Sequence, residues 1–248
     1  MRQFILLFTV LLAATAQAQQ SGTITYEERI ELNIELEGEM AQFAAMLPKE
    51  RKHDKLLYFT KSASLYKNGE QPKEDNASMN NNGMQINFNV TEPDNMLYKD
   101  LKEGTTTEQK EFMGREFLIN GSMKKYTWKM TGKQKEIAGY PCQEATTIRE
   151  EDTVTAWFTP AIPISTGPGT LGNLPGMILE AHIGNMLHIT TKKIELGEVD
   201  KSLLSKPKNG KKVTAEKFDE IVAEKTKDMK EQYGDAGGAR IMIRSEVH

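Results

Sequence analysis

The sequence has 248 residues and a formal net charge of −3, and 27% of its residues are charged. A mildly acidic chain of this kind has no electrostatic reason to bind nucleic acid or an anionic membrane surface. Cys142 is the only cysteine, which excludes an internal disulfide.

The N-terminus has the pattern of a cleavable signal peptide over residues 1–18. Arg2 precedes an apolar run over residues 4–14, which is too short to span a bilayer because about 20 apolar residues are needed. Ala16-Gln17-Ala18 then gives the small-x-small pattern of a cleavage site. We therefore expect a periplasmic or secreted mature chain that begins at Gln19, without a lipid-attachment cysteine or a membrane span.

The mature N-terminus predicts one long strand. Apolar side chains alternate with polar ones from Thr23 to Leu36, and Glu28 is the one interruption on the apolar side. This period of two is typical of an antiparallel sheet with one buried and one solvated face. A short helix is expected over residues 38–47, ended by Pro48.

Short strands separated by turn residues continue along the chain and favour a β-meander over βαβ units. We interpret the polar, Asn-rich segment Gly69–Gly83 as a loop inside the domain. The predicted strands are Lys55–Thr60, Ala63–Lys67, Met84–Val90, Asn95–Asp100, Thr105–Phe112, Arg115–Asn120, Thr127–Lys135, Gln143–Arg149, Thr153–Phe158, Gly176–Ile183 and Leu187–Leu196.

The C-terminal part predicts one amphipathic helix, capped by Thr214, running through Tyr233 and stopped by Gly234. The tail over residues 237–244 is either a disordered end or one added strand. The fold class is therefore mainly β, a single curved antiparallel sheet resembling a half-barrel, with a short helix in its N-terminal half and one C-terminal helix. We expect a β domain over residues 19–212 and a helix with a tail over residues 213–248.

A segment rich in proline and glycine, over residues 159–176, crosses between two predicted strands. Proline fixes φ and glycine permits positive φ, so this composition specifies one irregular path. The segment is either a structural crossover or a loop that grips a ligand. Its candidate binding residues are Trp157, Phe158, Ile162, Pro163, Pro168, Leu174 and Pro175.

This segment resembles the GLPGLI family of exported bacterial proteins. The matching element is Asn173-Leu174-Pro175-Gly176-Met177-Ile178, with Asn in place of the first Gly and Met in place of the second Leu. The blocks Ile137–Cys142 and Ala156–Pro160 resemble the other recurring elements of that family. The resemblance implies an exported β-rich protein of unassigned activity, and it transfers no catalytic residue.

Motifs that carry chemistry are scarce in this sequence. It contains no phosphate-binding GK[ST] loop, no G-x-S-x-G elbow and no HExxH or paired CxxC pattern. A hairpin with a three-residue turn would place Glu180, His182 and His188 on one sheet face, either as a divalent-metal site or as an ordinary solvated face. Scattered methionines allow copper handling, although adaptable core filling explains them better.

The sequence alone favours a non-catalytic protein of the bacterial cell envelope, which binds or carries an apolar ligand or a partner. That interpretation rests on analogy between folds. One alternative is a metal-dependent envelope hydrolase or a metal-handling protein that uses Glu180, His182 and His188. Another is an accessory protein that docks on an outer-membrane transporter. No cofactor other than such a metal is expected, and no nucleic acid partner.

Overall fold

The computed structural model describes residues 21–32, 34–36, 49–69, 76–81, 84–89, 93–149, 151–233 and 239–241. It confirms a mainly β protein with one large open sheet and a C-terminal helix, α1 (Ala215–Tyr233). The strands are β1 (Gly22–Glu31), β2 (Ile34–Leu36), β3 (Glu50–Phe59), β4 (Ala63–Asn68), β5 (Asn76–Asn81), β6 (Met84–Asn89), β7 (Met96–Asp100), β8 (Thr105–Phe112), β9 (Arg115–Ser122), β10 (Lys129–Ile137), β11 (Tyr140–Arg149), β12 (Asp152–Thr159), β13 (Met177–Ile183), β14 (Leu187–Leu196), β15 (Lys211–Thr214) and β16 (Ala239–Ile241).

The large sheet contains twelve strands in the order β10-β11-β12-β13-β14-β1-β3-β4-β7-β8-β9-β15. Neighbouring strands pair antiparallel except β15, which runs parallel to β9. Two further antiparallel pairs, β5 with β6 and β2 with β16, lie outside this sheet. Most neighbours in the sheet are also neighbours in sequence, as a meander requires.

Strand β1 lies in the middle of the sheet, between β14 and β3. The predicted alternation is confirmed over its first part, since Ile24 and Tyr26 are fully buried while Thr25 is partly exposed. The prediction of one long strand to Leu36 is wrong, because β1 ends at Glu31 and β2 pairs with β16 outside the large sheet. A bulge at Thr25 and Tyr26 shifts the register with β14. Burying each such large side chain contributes about 1.5–3 kcal/mol, so this strand anchors the core.

Three sequence-based expectations concern segments outside the large sheet. The predicted loop over Gly69–Gly83 is wrong in part, because Asn76–Asn81 forms β5 and pairs with β6. For the tail, the added-strand alternative is correct, since β16 pairs with β2. The expected helix over residues 38–47 lies outside the described residues, as do residues 1–18, and the division into domains stays a prediction.

The segment over residues 160–176, hereafter the crossover, packs on the inner face of the sheet, the face that carries Ile24 and Tyr26. Ile162 and Leu171 are fully buried there. The backbone N–H of Met177 donates to the carbonyl of Ile162 at 3.0 Å, which ties the crossover to the start of β13. The crossover is therefore part of the core.

Helix α1 forms a second, smaller core against the end of the sheet. Phe218 is 2% exposed and packs against Phe117 and Ile119 of β9. Thr214 caps the helix as predicted, because its Oγ1 accepts the backbone N–H of Lys217 at 3.2 Å. No helix within the described ranges is long and apolar enough to cross a membrane.

Candidate functional site

The hairpin of β13 and β14 has the register predicted from the sequence. His182 faces His188, Glu180 faces Thr190 and Ala181 faces Ile189. Directly opposed residues share a sheet face, so Glu180, His182 and His188 lie together on the polar face, opposite the crossover. The two imidazole rings are 4.6 Å apart between centroids.

Two residues from neighbouring strands complete this polar-face cluster, which we define as Lys135, Trp157, Glu180, His182 and His188. Lys135 Nζ lies 2.6 Å from Glu180 Oε1 and 4.4 Å from the centre of the Trp157 ring. His182 Nε2 lies 3.2 Å from the same oxygen of Glu180. Burial lowers the pKa of His182, and His188, Lys135 and Arg29 lower it further against the opposing effect of Glu180. The imidazole therefore favours its neutral form.

The predicted metal ligands Glu180, His182 and His188 are thus close in space, but Lys135 occupies the carboxylate. Within the described parts of the chain, no group of three His, Cys, Asp or Glu side chains is arranged to bind a metal ion. The three side chains thus form part of a salt-bridged polar surface, and the metal-site alternative stays an untested prediction.

The candidate binding residues, which lie in β12 and in the crossover, are mainly in the core. Phe158, Ile162 and Leu174 are at most 1% exposed, and Trp157 is 9% exposed. Pro168 is buried as well, whereas Pro163 and Pro175 are exposed. In this structure the buried members have no surface to offer a ligand, so they stabilise the fold, and a binding role for the set stays an untested prediction.

A buried lysine side chain donates hydrogen bonds to the crossover. Lys99 of β7 is 1% exposed, and its Nζ donates to the carbonyls of Leu171 at 2.7 Å and Gly167 at 3.1 Å. It also reaches Thr166 Oγ1 at 3.4 Å. Burial lowers the pKa of Lys99 to about 7. All three partners are neutral oxygens, so no carboxylate among them opposes the effect of burial on the pKa.

A cavity of about 110 Å³ lies beside Lys99, between β7, β8, β9, the start of α1 and the crossover. Its lining combines apolar and polar side chains. The apolar residues include Leu97, Ile119 and Phe218, and the polar side chains include Lys99, Thr106, Glu108, Ser122, Lys124, Thr170 and Asp219.

The carboxyl group of Glu108, which lines the cavity, has a shifted pKa. Burial raises the pKa of its carboxyl, Lys110 and Lys124 lower it, and Asp219 raises it. Burial therefore raises the pKa of Glu108 and lowers that of Lys99, so both pKa values move towards pH 7. Concave sites with convergent polar groups and shifted pKa values are where binding and proton transfer concentrate. Of the described features, the cavity is our best candidate site.

Sequence reasoning missed this cavity because its residues come from five separate segments. The one available signal was polar residues at positions that should be buried.

Glu28, the interruption in the alternation of β1, shows that a polar residue at a buried position can have another cause. Its carboxylate is buried, accepts the Tyr66 hydroxyl at 2.6 Å and lies 3.8 Å from Lys55 Nζ. A paired charge inside the sheet explains that position.

Cys142 carries a buried thiol. It is 1% exposed, and burial raises its pKa to about 11. Because the thiolate is the reactive form, we expect a thiol reagent at pH 8 to label the denatured protein at once and the native protein on the timescale of unfolding. Mass spectrometry of timed samples measures this. Rapid labelling of the native protein would show that the thiol is accessible.

The family model of the N-glycanase peptide, N-terminal domain, matches residues 50–220. Two structures of PNGF-II, in space groups C2 and P21, resemble the fold with a TM-score of 0.54 and 15% identity. They cover 83% of this chain, which spans only 33% and 34% of the PNGF-II chains. No curated protein matches the chain.

These matches overturn two sequence-based interpretations. The resemblance to the GLPGLI family is wrong, because the family model that matches most of the chain is that of an N-glycanase domain. The sequence does contain the Leu-Pro-Gly element, and in this structure that element forms the end of the crossover. The preferred function, a non-catalytic carrier or accessory protein of the envelope, is also wrong, because the matching family belongs to a glycan-processing enzyme.

Proposed function

This chain belongs to the family of the N-glycanase peptide, N-terminal domain, and from that premise we propose that it takes part in the enzymatic removal of N-linked glycans from glycoproteins. In this proposal the chain is one part of a glycan-removing enzyme. Its cavity contacts the substrate next to the glycosylated asparagine.

The observation that carries the proposal is the extent of the family match. Residues 50–220 include every residue that lines the cavity, from Leu97 to Asp219. The candidate site is therefore built wholly from the segment that identifies the family. The cavity also has a mixed lining of apolar and polar side chains, which suits amphipathic groups such as those of a glycan.

This chain spans about a third of PNGF-II, and the matching family is that of an N-terminal domain. We assign to the chain the engagement of the glycoprotein during the enzymatic removal of its glycan. Action outside the cytoplasm, after loss of residues 1–18, is part of the same proposal and rests on the signal-peptide pattern.

A matched pair of peptides tests this function. We expect the mature chain from Gln19 to bind a peptide with one asparagine-linked glycan at least about tenfold more tightly than the same peptide without the glycan, measured by titration calorimetry. Equal binding of the two peptides would contradict the proposal.

Mass spectrometry of the same mixtures extends this test, because enzymatic removal of the glycan by hydrolysis converts the glycosylated asparagine to aspartate. Conversion of the glycopeptide by the chain would support the glycan-removing function directly.

A further inference from the structure

The net charge of −3 conceals an uneven distribution of charge along the chain. Residues 201–212, hereafter the lysine strap, read KSLLSKPKNGKK and contain no acidic residue. The five lysines are Lys201, Lys206, Lys208, Lys211 and Lys212, and all of them are exposed. An acidic chain thus presents one strongly basic segment to solvent.

The lysine strap is held against the large sheet. Its first turn, a 3-10 helix over Lys201–Leu204, contacts β3 and β4. Lys206 Nζ then lies 6.0 Å from the centre of the Tyr98 ring in β7, and Pro207 is buried. The strap ends where β15 pairs with β9. Because the fold already orders this backbone, a binding partner does not have to order it.

The charges of the strap are not neutralised by ion pairs. No carboxylate of the described residues forms an ion pair with any of the five lysines. The acidic residues next to the strap in sequence are Asp200, whose side chain accepts the backbone N–H of Ser202 at 2.9 Å, and Glu216 at the start of α1. Five lysines against these two acids leave residues 200–216 with three positive charges. The strap therefore attracts anions.

Leu203 indicates which kind of anionic partner fits. It lies within the strap and is 40% exposed, one of four large apolar side chains in the described residues that face solvent to this extent. A lipid surface offers phosphate groups to the lysines and an apolar layer that removes Leu203 from water. Nucleic acid offers the phosphates alone, and its binding sites use aromatic rings and arginine, which the strap lacks.

We propose that the lysine strap is a docking surface for an anionic lipid membrane. The ammonium groups of the strap lie against lipid phosphates, and Leu203 enters the headgroup region without any part of the chain crossing the bilayer. None of the strap residues lines the candidate cavity, so the proposal goes beyond the proposed function and does not depend on it.

The first test measures binding of the mature chain to vesicles by flotation. The vesicles are phosphatidylcholine alone, or phosphatidylcholine with roughly one third phosphatidylglycerol. We expect at least about tenfold stronger binding to the anionic vesicles, weakened by added salt because salt screens exposed charges. Equal binding to the two kinds of vesicle, or binding to neither, would overturn the proposal.

A triple variant tests the strap itself. Lys201→Gln, Lys208→Gln and Lys212→Gln remove three exposed charges and should leave the fold intact. Each lysine near an anionic membrane strengthens binding about fivefold, so the combined variant should bind the anionic vesicles about a hundredfold more weakly. Lys208→Gln alone repeats the test, with about a fivefold loss, if the triple variant melts early. Unchanged binding would contradict the assignment.

The matched control removes the same charge elsewhere. Lys102, Lys125 and Lys129 are exposed and lie outside the strap. Changing these three to glutamine should leave vesicle binding within about threefold of wild type, since distant exposed charges are screened. An equal loss in both triple variants would show that net charge, and not the strap, causes the binding.

A fluorescent label tests the contact of Leu203 with lipid. The native Cys142 is buried, so a polarity-sensitive maleimide can be attached selectively to Leu203→Cys. Its emission should rise on addition of anionic vesicles, whereas a label on Met130→Cys, at a position 48% exposed in β10, should not respond. A silent label at position 203, or a response at position 130 alone, would place another surface on the membrane.

Duplex DNA distinguishes lipid from nucleic acid as the partner. We expect the mature chain to bind it at least about tenfold more weakly than the anionic vesicles at equal phosphate concentration, because DNA offers Leu203 no apolar layer. Tighter binding of DNA than of vesicles would assign the strap to nucleic acid and overturn the proposal.

Discussion

Replacing Gly176 by alanine should destabilise the protein by about 3 kcal/mol or more. Gly176 ends the crossover with φ of +154°, a conformation that residues with a side chain rarely adopt. An added Cβ would also collide with the backbone of Thr159, lying 2.7 Å from its carbonyl carbon. Moving either backbone segment would cost free energy, because Thr159 ends β12 and Gly176 leads directly into β13.

Gly172→Ala is the matched control for this prediction. Gly172 lies in the same segment, but a Cβ there meets Ser165 O at 3.5 Å, an ordinary contact, and its φ is not in the positive range. Urea denaturation of both variants measures the free energy of unfolding. If the two variants lose equal stability, backbone geometry at Gly176 is not the cause. If Gly176→Ala does not fold, its insoluble expression beside a folded Gly172→Ala agrees with the prediction.

Lys99 should make stability depend strongly on pH. Its pKa is about 7 in the folded protein against an ordinary value of 10.5 in the unfolded chain. Between these values the unfolded state binds a proton that the folded state does not, so stability falls as pH falls from 10.5 to 7 and changes no further below 7. The full change from this one group is about 4–5 kcal/mol, since each pKa unit corresponds to about 1.4 kcal/mol.

Lys99→Met isolates this contribution, because methionine keeps much of the side chain and cannot take up a proton. The difference in unfolding free energy between wild type and variant should change by about 1.4 kcal/mol per pH unit between pH 7.5 and 9.5. Urea melts at half-unit intervals of pH measure it. Parallel curves would mean that the carbonyls of Gly167 and Leu171 keep the amine charged in the folded protein.

The sequence was informative wherever a pattern repeats locally. Alternation along β1 predicted a strand with one buried face, because side chains on a strand point to opposite faces in turn. The same rule predicted the register of His182 and His188, since only one turn length separates polar from apolar residues. The capped amphipathic helix was predicted from Thr214 and its 3.6-residue spacing.

Features that depend on distant segments were not predictable in this way. Strand β15 pairs with β9 in parallel, and no local pattern specifies a partner so far away in sequence. The cavity needs β7, β8, β9, the crossover and α1 to come together. The Pro/Gly pattern correctly indicated a fixed path, but the same pattern led to the wrong family because backbone geometry can recur in unrelated proteins.

The position of β1 has a consequence for how the chain acquires its structure. Gly22, at the start of β1, pairs with Phe59 on one side and with Leu196 on the other. During synthesis, β1 therefore has one open hydrogen-bonding edge until β14 has emerged from the ribosome. Contacts between such distant segments slow folding and expose strands to wrong partners. A chain truncated before residue 187 should therefore be prone to aggregation and proteolysis, even though most of its strands are complete.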